Sequence, residues 1–178
     1  MTSDPSPTLK IAINDANLFI DLHEIELTEK FFQLSFSFHT TQLILSELEP
    51  EQLSKLQPFL EANILTVRQL TRDEIENLDK QTTQSGKLSI QDLSIYFYAK
   101  QIGENCLILT GDNRLRKEAE RQGLEVHGIL WVFQRMIDEQ IITAQKAIDK
   151  LTELEKVNSW LPKVECERFR EEWRNLKK

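Results

Sequence analysis

Five times along the sequence a short apolar run stops at turn-forming residues and gives way to a helical repeat. Strands repeat every second residue and helices about every 3.6, so this alternation predicts an α/β domain with a mainly parallel sheet. The first switch is the sharpest. Leu9-Lys10-Ile11-Ala12-Ile13 meets Asn14-Asp15-Ala16-Asn17, after which Leu18, Phe19 and Leu22 follow at helical spacing. A buried strand over about Leu9–Asn14 and a helix from about Asn17 are expected. Asp15 then falls at the carboxyl end of the first strand, the edge at which open parallel sheets bind ligands.

The remaining elements follow from the same signals. Phe36–His39 alternates like a short strand, and Thr40-Thr41 offers a cap for a helix through Gln42 to Leu48. Pro50 disfavours helical geometry at Glu49 and opens the next helix, to about Glu61. Ile64–Val67 reads as the third strand, and a polar helix opens near Thr71 and stops before Thr82. The helix from about Ser89 to Ile102 is apolar nearly all round, which predicts burial, and Gly103 ends it as a left-handed cap. Cys106–Thr110 is a fourth, fully apolar strand, followed by a charged helix, Asn113–Gln122. Glu125–His127 is the fifth, followed by a helix over Ile129–Glu139.

From Ile141 the alternation ceases. Ile148, Leu151 and Leu154 share one helical face, and Pro162 restarts the chain. Cys166, Phe169, Trp173 and Leu176 then recur at spacings of three, four and three. The expected organisation is a domain over residues 1–140 with a helical hairpin over 141–178 packed on it.

Met1–Thr8 is polar, contains Pro and Ser, and reads as a disordered lead-in without a signal region. No apolar stretch approaches the ~20 residues that span a bilayer. Cys106 and Cys166 lack metal-ligand partners and read as reduced thiols. These features predict a soluble, cytoplasmic protein with no membrane association. A formal net charge of -7 argues mildly against a nucleic-acid binder. It does not exclude one, because carboxylates that hold divalent cations also lower the net charge.

Four carboxylates fall where such a site would stand. Asp15 follows the first strand, Glu47 ends the helix after the second, Asp92 opens the buried helix, and Asp112 follows the fourth strand. Each also has a structural reading: Asp15 as a turn residue, Asp92 with Ser89 as a capping box, Asp112 as a helix cap, Glu47 as a solvated acid. Asp92 shares a face with Ile95, Tyr96 and Ala99, where a carboxylate needs a partner or a cation. As a set, the acids suit phosphodiester hydrolysis assisted by Mg²⁺ or Mn²⁺, hard cations that take oxygen ligands.

Asp15-Ala16-Asn17-Leu18-Phe19, Thr40-Thr41 with Leu45-Ser46-Glu47-Leu48, Leu88-Ser89-Ile90-Gln91-Asp92 and Leu109-Thr110-Gly111-Asp112 occur in this order. The combination resembles the PIN domain, and more closely the VapC-like PIN ribonucleases of type II toxin–antitoxin systems. The resemblance covers about Ile11–Glu139. It implies a three-layer α/β/α fold on a five-stranded sheet of order 3-2-1-4-5, and a Mg²⁺- or Mn²⁺-dependent endoribonuclease. It further implies a catalytic set of Asp15, Glu47, Asp92 and Asp112, with Asp15, Asp92 and Asp112 as metal ligands. Asn17 and Thr110 would be polar neighbours on the substrate side. RNA would be the substrate, a small antitoxin a partner, and a homodimer the expected assembly. Ala16 stands where the family often has Ser or Thr, and the hairpin has no counterpart in compact toxins. The alternative is a catalytically weak PIN-fold module that binds RNA or protein.

Arg114, Lys117 and Arg121 share one face of the charged helix and could guide phosphates to the acids. The competing reading is a solvated face with Arg114–Glu118 and Arg116–Glu120 pairs. His23, His39 and His127 are scattered without metal-ligand spacing. Trp160 and the Phe169/Trp173 stripe read mainly as packing, and their aromatic area makes the hairpin a candidate for partner contact.

Overall fold

In the computed structural model, which describes residues 8–85 and 87–176, all five expected strands form. They are β1 (Ile11–Asn14), β2 (Ser37–Thr41), β3 (Leu65–Arg68), β4 (Cys106–Leu109) and β5 (Glu125–His127). All pair in parallel, in the order β3-β2-β1-β4-β5. Asn14 stands opposite Leu109 and Ile13 opposite both His39 and Ile108, so the ends of β1, β2 and β4 adjoin. Every residue of β4 is buried, and so are Ala12 to Asn14 of β1. Strands covered on both faces need such continuous apolar runs.

The helices are α1 (Ala16–Glu24), α2 (Thr28–Phe31), α3 (Gln42–Leu45), α4 (Pro50–Glu61), α5 (Arg72–Ser85), α6 (Ile90–Ile102), α7 (Asn113–Arg121), α8 (Ile129–Asp138), α9 (Ala144–Val157) and α10 (Lys163–Asn175). Their principal contacts divide them into two layers. One joins α1, α2, α4, α8, α9 and α10; the other joins α3, α5 and α7 through α6. This is the three-layer α/β/α arrangement with an appended helical pair.

Local chemistry explains where elements depart from expectation. The turn α2 buries Phe31, which meets the Phe38 ring of β2 at 4.8 Å. Helix α5 runs on to Ser85 instead of stopping before Thr82. The Thr82 and Thr83 hydroxyls donate to the carbonyls of Leu78 and Asp79, so both threonines are satisfied inside the helix. Helix α6 buries Leu93, Ile95 and Ala99 but leaves Tyr96, Phe97 and Tyr98 half-buried, because the polar α5 covers it only in part. Gly103 ends α6 at a positive φ of 81°, as expected of glycine there, but with ψ -139° in place of the left-handed helical value. The expected lead-in lies, apart from Thr8, outside the described residues.

The hairpin is held by one large anchor. Trp173 of α10 is fully buried, meets Phe133 of α8 at 5.7 Å, and donates its indole N–H to Gln134 Oε1 at 2.8 Å. Cys166 is buried on the same face, whereas Leu176 lies past the helix end and is exposed. Trp160, in the turn between α9 and α10, is 93% exposed and is not packing. Both cysteines are free and buried. Among the described residues no helix is long and apolar enough to cross a membrane. The two edge strands are short and charged. Arg68 of β3 pairs with Glu74 at 2.8 Å, and Glu125 of β5 pairs with Lys10 and His127.

Two substitutions separate anchor from surface. Trp173→Ala should cost about 3–5 kcal/mol by opening a cavity and orphaning Gln134, whereas Trp160→Ala should stay within about 0.5 kcal/mol. Urea unfolding of the two variants against the parent reads both.

Candidate metal centre

Asp15 leaves the central strand directly into α1 and is 3% exposed. A carboxylate buried there needs hydrogen bonds to every lone pair it can fill. It has three. Its Oδ1 accepts from the Ala16 amide at 2.7 Å, and its Oδ2 accepts from the Thr110 hydroxyl at 2.6 Å and the Asn17 amide at 3.2 Å. Thr110 directly follows the neighbouring strand, and its hydroxyl also accepts from the Asp112 amide at 3.0 Å. The β1–β4 register thus delivers the residues that the first and last motifs place at the site.

Glu47 and Asp92 arrive from the other side. The Thr41 hydroxyl, which caps α3, is 2.7 Å from the Ser94 hydroxyl of α6, and that contact ties the two segments together. Glu47 lies just beyond α3 and not in its last turn. The Ser46 hydroxyl donates to Leu43 O, and the Glu47 amide bonds only three residues back, so the helix tightens and ends before Pro50. Asp92 is buried at the third position of α6, where its Oδ2 accepts from the Ser89 amide and hydroxyl. That is the capping box, completed by the Asp92 amide donating to Ser89 Oγ.

Asp112 caps α7 with Oδ1, accepting from the Arg114 and Leu115 amides. Its Oδ2 is 4.0 Å from the Arg114 guanidinium. So Asp15, Asp92 and Asp112 all perform the structural task the sequence allows, each at a helix start. Among the described residues no three His, Cys, Asp or Glu side chains already stand in a geometry that could hold a metal ion.

The electrostatics nonetheless join three of the acids. Burial pushes the Asp15 carboxyl up to about 6. Hydrogen bonds from Thr110 and Ala16 oppose the rise, and the Asp92 and Glu47 charges add to it. Glu47 is raised too, by partial burial of its carboxyl first and by Asp92 second. Like charges held together in this way, in an all-oxygen donor set, suit a hard divalent cation, which offsets their repulsion.

The basic residues sort differently from expectation. Glu118 pairs with Arg121 at 2.7 Å and not with Arg114, which turns to Asp112. The expected Arg116–Glu120 pair is present at 3.7 Å. Arg116 does more than pair. Its guanidinium donates to the Thr110 and Val126 carbonyls, each at 3.3 Å, and so locks α7 to the strand ends. Lys117 is exposed. His39 bonds Tyr98 and Ser37, and His127 bonds Glu125, so both are structural. Asp21 of α1 escaped the sequence reading, although a carboxylate beside Leu18 and Leu22 is a signal. Both its oxygens accept from Asn158 Nδ2, at 3.0 and 3.1 Å, and burial pushes it up to about 6.

A five-stranded parallel sheet in this order with helices on both faces is the α/β architecture of the PIN class. The chain belongs to the PIN-domain family, whose profile matches residues 11–175 and therefore takes in the hairpin. PIN domains are commonly nucleases and typically use divalent metals. Among solved structures the chain is similar to a PilT N-terminus domain protein from the hyperthermophilic archaeon Sulfolobus solfataricus P2. The identity is 16% and the TM-score 0.45, over 71% of this chain and 93% of that one. No curated protein matches significantly.

The buried charge has a stability signature. Asp15 rises from its ordinary 3.8 to about 6, so the folded state holds this proton more tightly than the unfolded chain. Stability linked to it is complete below pH 4 and is lost as pH rises through about 6. In EDTA at pH 7.5, Asp15→Asn should therefore be more stable than the parent, by at most ~3 kcal/mol. The gap should close toward pH 4. Added Mn²⁺ should raise the melting temperature of the parent and leave that of the variant unmoved.

Proposed function

We propose that the protein is a Mg²⁺- or Mn²⁺-dependent endoribonuclease. The observation that carries this reading is that Asp15, Glu47 and Asp92, from three separate segments, share one electrostatic field at the end of the central strand. A bound cation supplies charge neutralisation for the phosphate and lowers the pKa of attacking water. Asp15, Asp92 and Asp112 would hold it, each with a carboxylate already oriented by a helix start.

The chain's own groups divide the remaining work. Thr110 and Asn17 fix the Asp15 carboxylate, and Thr110 also fixes the Asp112 backbone. Glu47 is exposed, has no hydrogen-bond partner for its carboxylate among the described residues, and has a raised pKa. It is suited to accept the proton of attacking water at a carboxylate oxygen. Arg114 and Lys117, exposed on α7 beside Asp112, would meet the phosphates that flank the scissile bond. The four motifs that resemble VapC-like proteins extend the reading to the toxin of a toxin–antitoxin pair, with a small protein partner.

Cleavage of an unstructured RNA in Mn²⁺ tests the assignment. Asp15→Asn and Asp92→Asn should abolish both cleavage and Mn²⁺ binding by titration calorimetry. Glu47→Gln should lower kcat about 10²- to 10⁴-fold with Mn²⁺ affinity retained. Cleavage that survives Asp15→Asn and Asp92→Asn overturns the site, and an intact protein that binds RNA without cutting it is the binding module instead.

A further inference from the structure

Beside the acidic edge lies a cleft of about 500 Å³ between the β4–α7 turn, the start of α8 and the hairpin turn. Thr110 and Gly111 are among its lining residues, so the cleft borders the β4–α7 turn that leads to Asp112. Trp131, Phe169 and Trp160 supply aromatic walls, and Arg116, Asp21 and Glu165 polar ones. The volume falls within the range of ligand pockets.

We propose that this cleft is a nucleobase subsite, holding one unpaired base of an RNA strand with Trp160 as its stacking platform. The proposal rests on the ribonuclease reading of the adjoining site. Three observations select this occupant.

The first is the lining. Trp160 offers an uncovered aromatic face beside polar groups, which matches a planar ring with a polar edge, while Trp131, under the His127 ring, and Phe169, under the Arg168 guanidinium, bound the cleft without serving as platforms. An aliphatic side chain would leave the Arg116 guanidinium and the Glu165 carboxylate facing an apolar surface. The second is charge. Asp21 and Glu165 repel a phosphate, so the part of a nucleotide that enters is the neutral base, and its phosphate stays outside toward Arg114 and Lys117. The third is the way Trp160 is mounted. A tryptophan 93% exposed is an unusual surface residue, yet its turn is held in place. Its amide donates to Asn158 Oδ1 at 3.0 Å, and Asn158 Nδ2 donates to both oxygens of Asp21. Asp21 sits on α1, the helix that Asp15 caps. The platform and the acidic edge are therefore referenced to one helix. Trp131, also in the lining, is stiffened by His127, whose ring stacks on it at 4.1 Å and 5°.

Stacking on such a surface is available only to an unpaired base, so the groove selects single-stranded RNA. Fluorescence anisotropy in EDTA with a short unstructured RNA, and with a duplex of the same length, reads the proposal on the intact protein. Trp160→Ala, whose site carries no packing, should weaken single-strand binding about 5- to 150-fold and leave duplex binding unchanged. Trp160→Phe should retain most of the affinity. Equal single-strand affinity for parent and Trp160→Ala overturns the groove. So does a lower sedimentation coefficient in Trp160→Ala with unchanged RNA affinity, which would make Trp160 a contact between copies of the chain. A parallel Mn²⁺ cleavage assay separates the two readings. Trp160-dependent binding by a parent that does not cut leaves the groove standing and removes the nuclease. Cutting with Trp160-independent affinity does the reverse.

Discussion

The hydrogen bond from Thr110 to Asp15, 2.6 Å between two buried groups, is the contact on which the rest of the molecule turns. Ionising a carboxyl that is 3% exposed is expensive, and only donors fixed in advance can offset the cost. Thr110 can serve only if β4 lies beside β1 in the observed register. That register in turn requires the uninterrupted apolar runs of both strands, which pack helices on each face. Arg116, holding the Thr110 carbonyl, extends the same constraint into α7. The sheet is thus arranged so that one acid can be buried without being silenced.

The other aspartates are handled by a related device. Asp15 caps α1, Asp92 completes the cap of α6 and Asp112 caps α7, so three helix starts face one edge. A helix start presents unpaired N–H groups and the positive end of its dipole, and both favour nearby anions. Structural and catalytic readings of these residues are therefore not rivals. The cap orients the carboxylate and, for Asp15 and Asp92, moderates the repulsion between them, while the second oxygen of Asp92 stays clear of the cap.

Much of this was legible in residue order because it rests on local rules. Alternation of period gave the strands, Pro50 and Gly103 gave boundaries, and the Ser89-to-Asp92 spacing gave the capping box. What escaped depended on contacts between distant segments. Residue order places Glu47 in a helix that the Ser46 hydroxyl shortens by bonding back to Leu43. Spacing alone pairs Arg114 with Glu118, whereas Asp112 lies close enough to claim it. Spacing marks Arg116 only as a surface partner of Glu120, and it is β5 that places a carbonyl beside it. Trp160 and Trp173 carry the same side chain in one hairpin, yet one is core and the other fully in solvent. Trp173 belongs to the Cys166–Phe169 repeat and Trp160 stands outside it, but the repeat also takes in the exposed Leu176, so contact with α8 is what marks the buried ring.

The edges of the sheet have a consequence for how this chain meets others. β5 is three residues long and carries Glu125 between Lys10 and His127, while β3 ends in Arg68 bound to Glu74. A foreign strand adding to either border would find little backbone to pair with and would have to strip ion pairs from water to reach it. Sheet extension, the commonest route from exposed edges to fibrous aggregates, is thereby discouraged. Contacts with another chain are left to the helical faces and the tip of the hairpin.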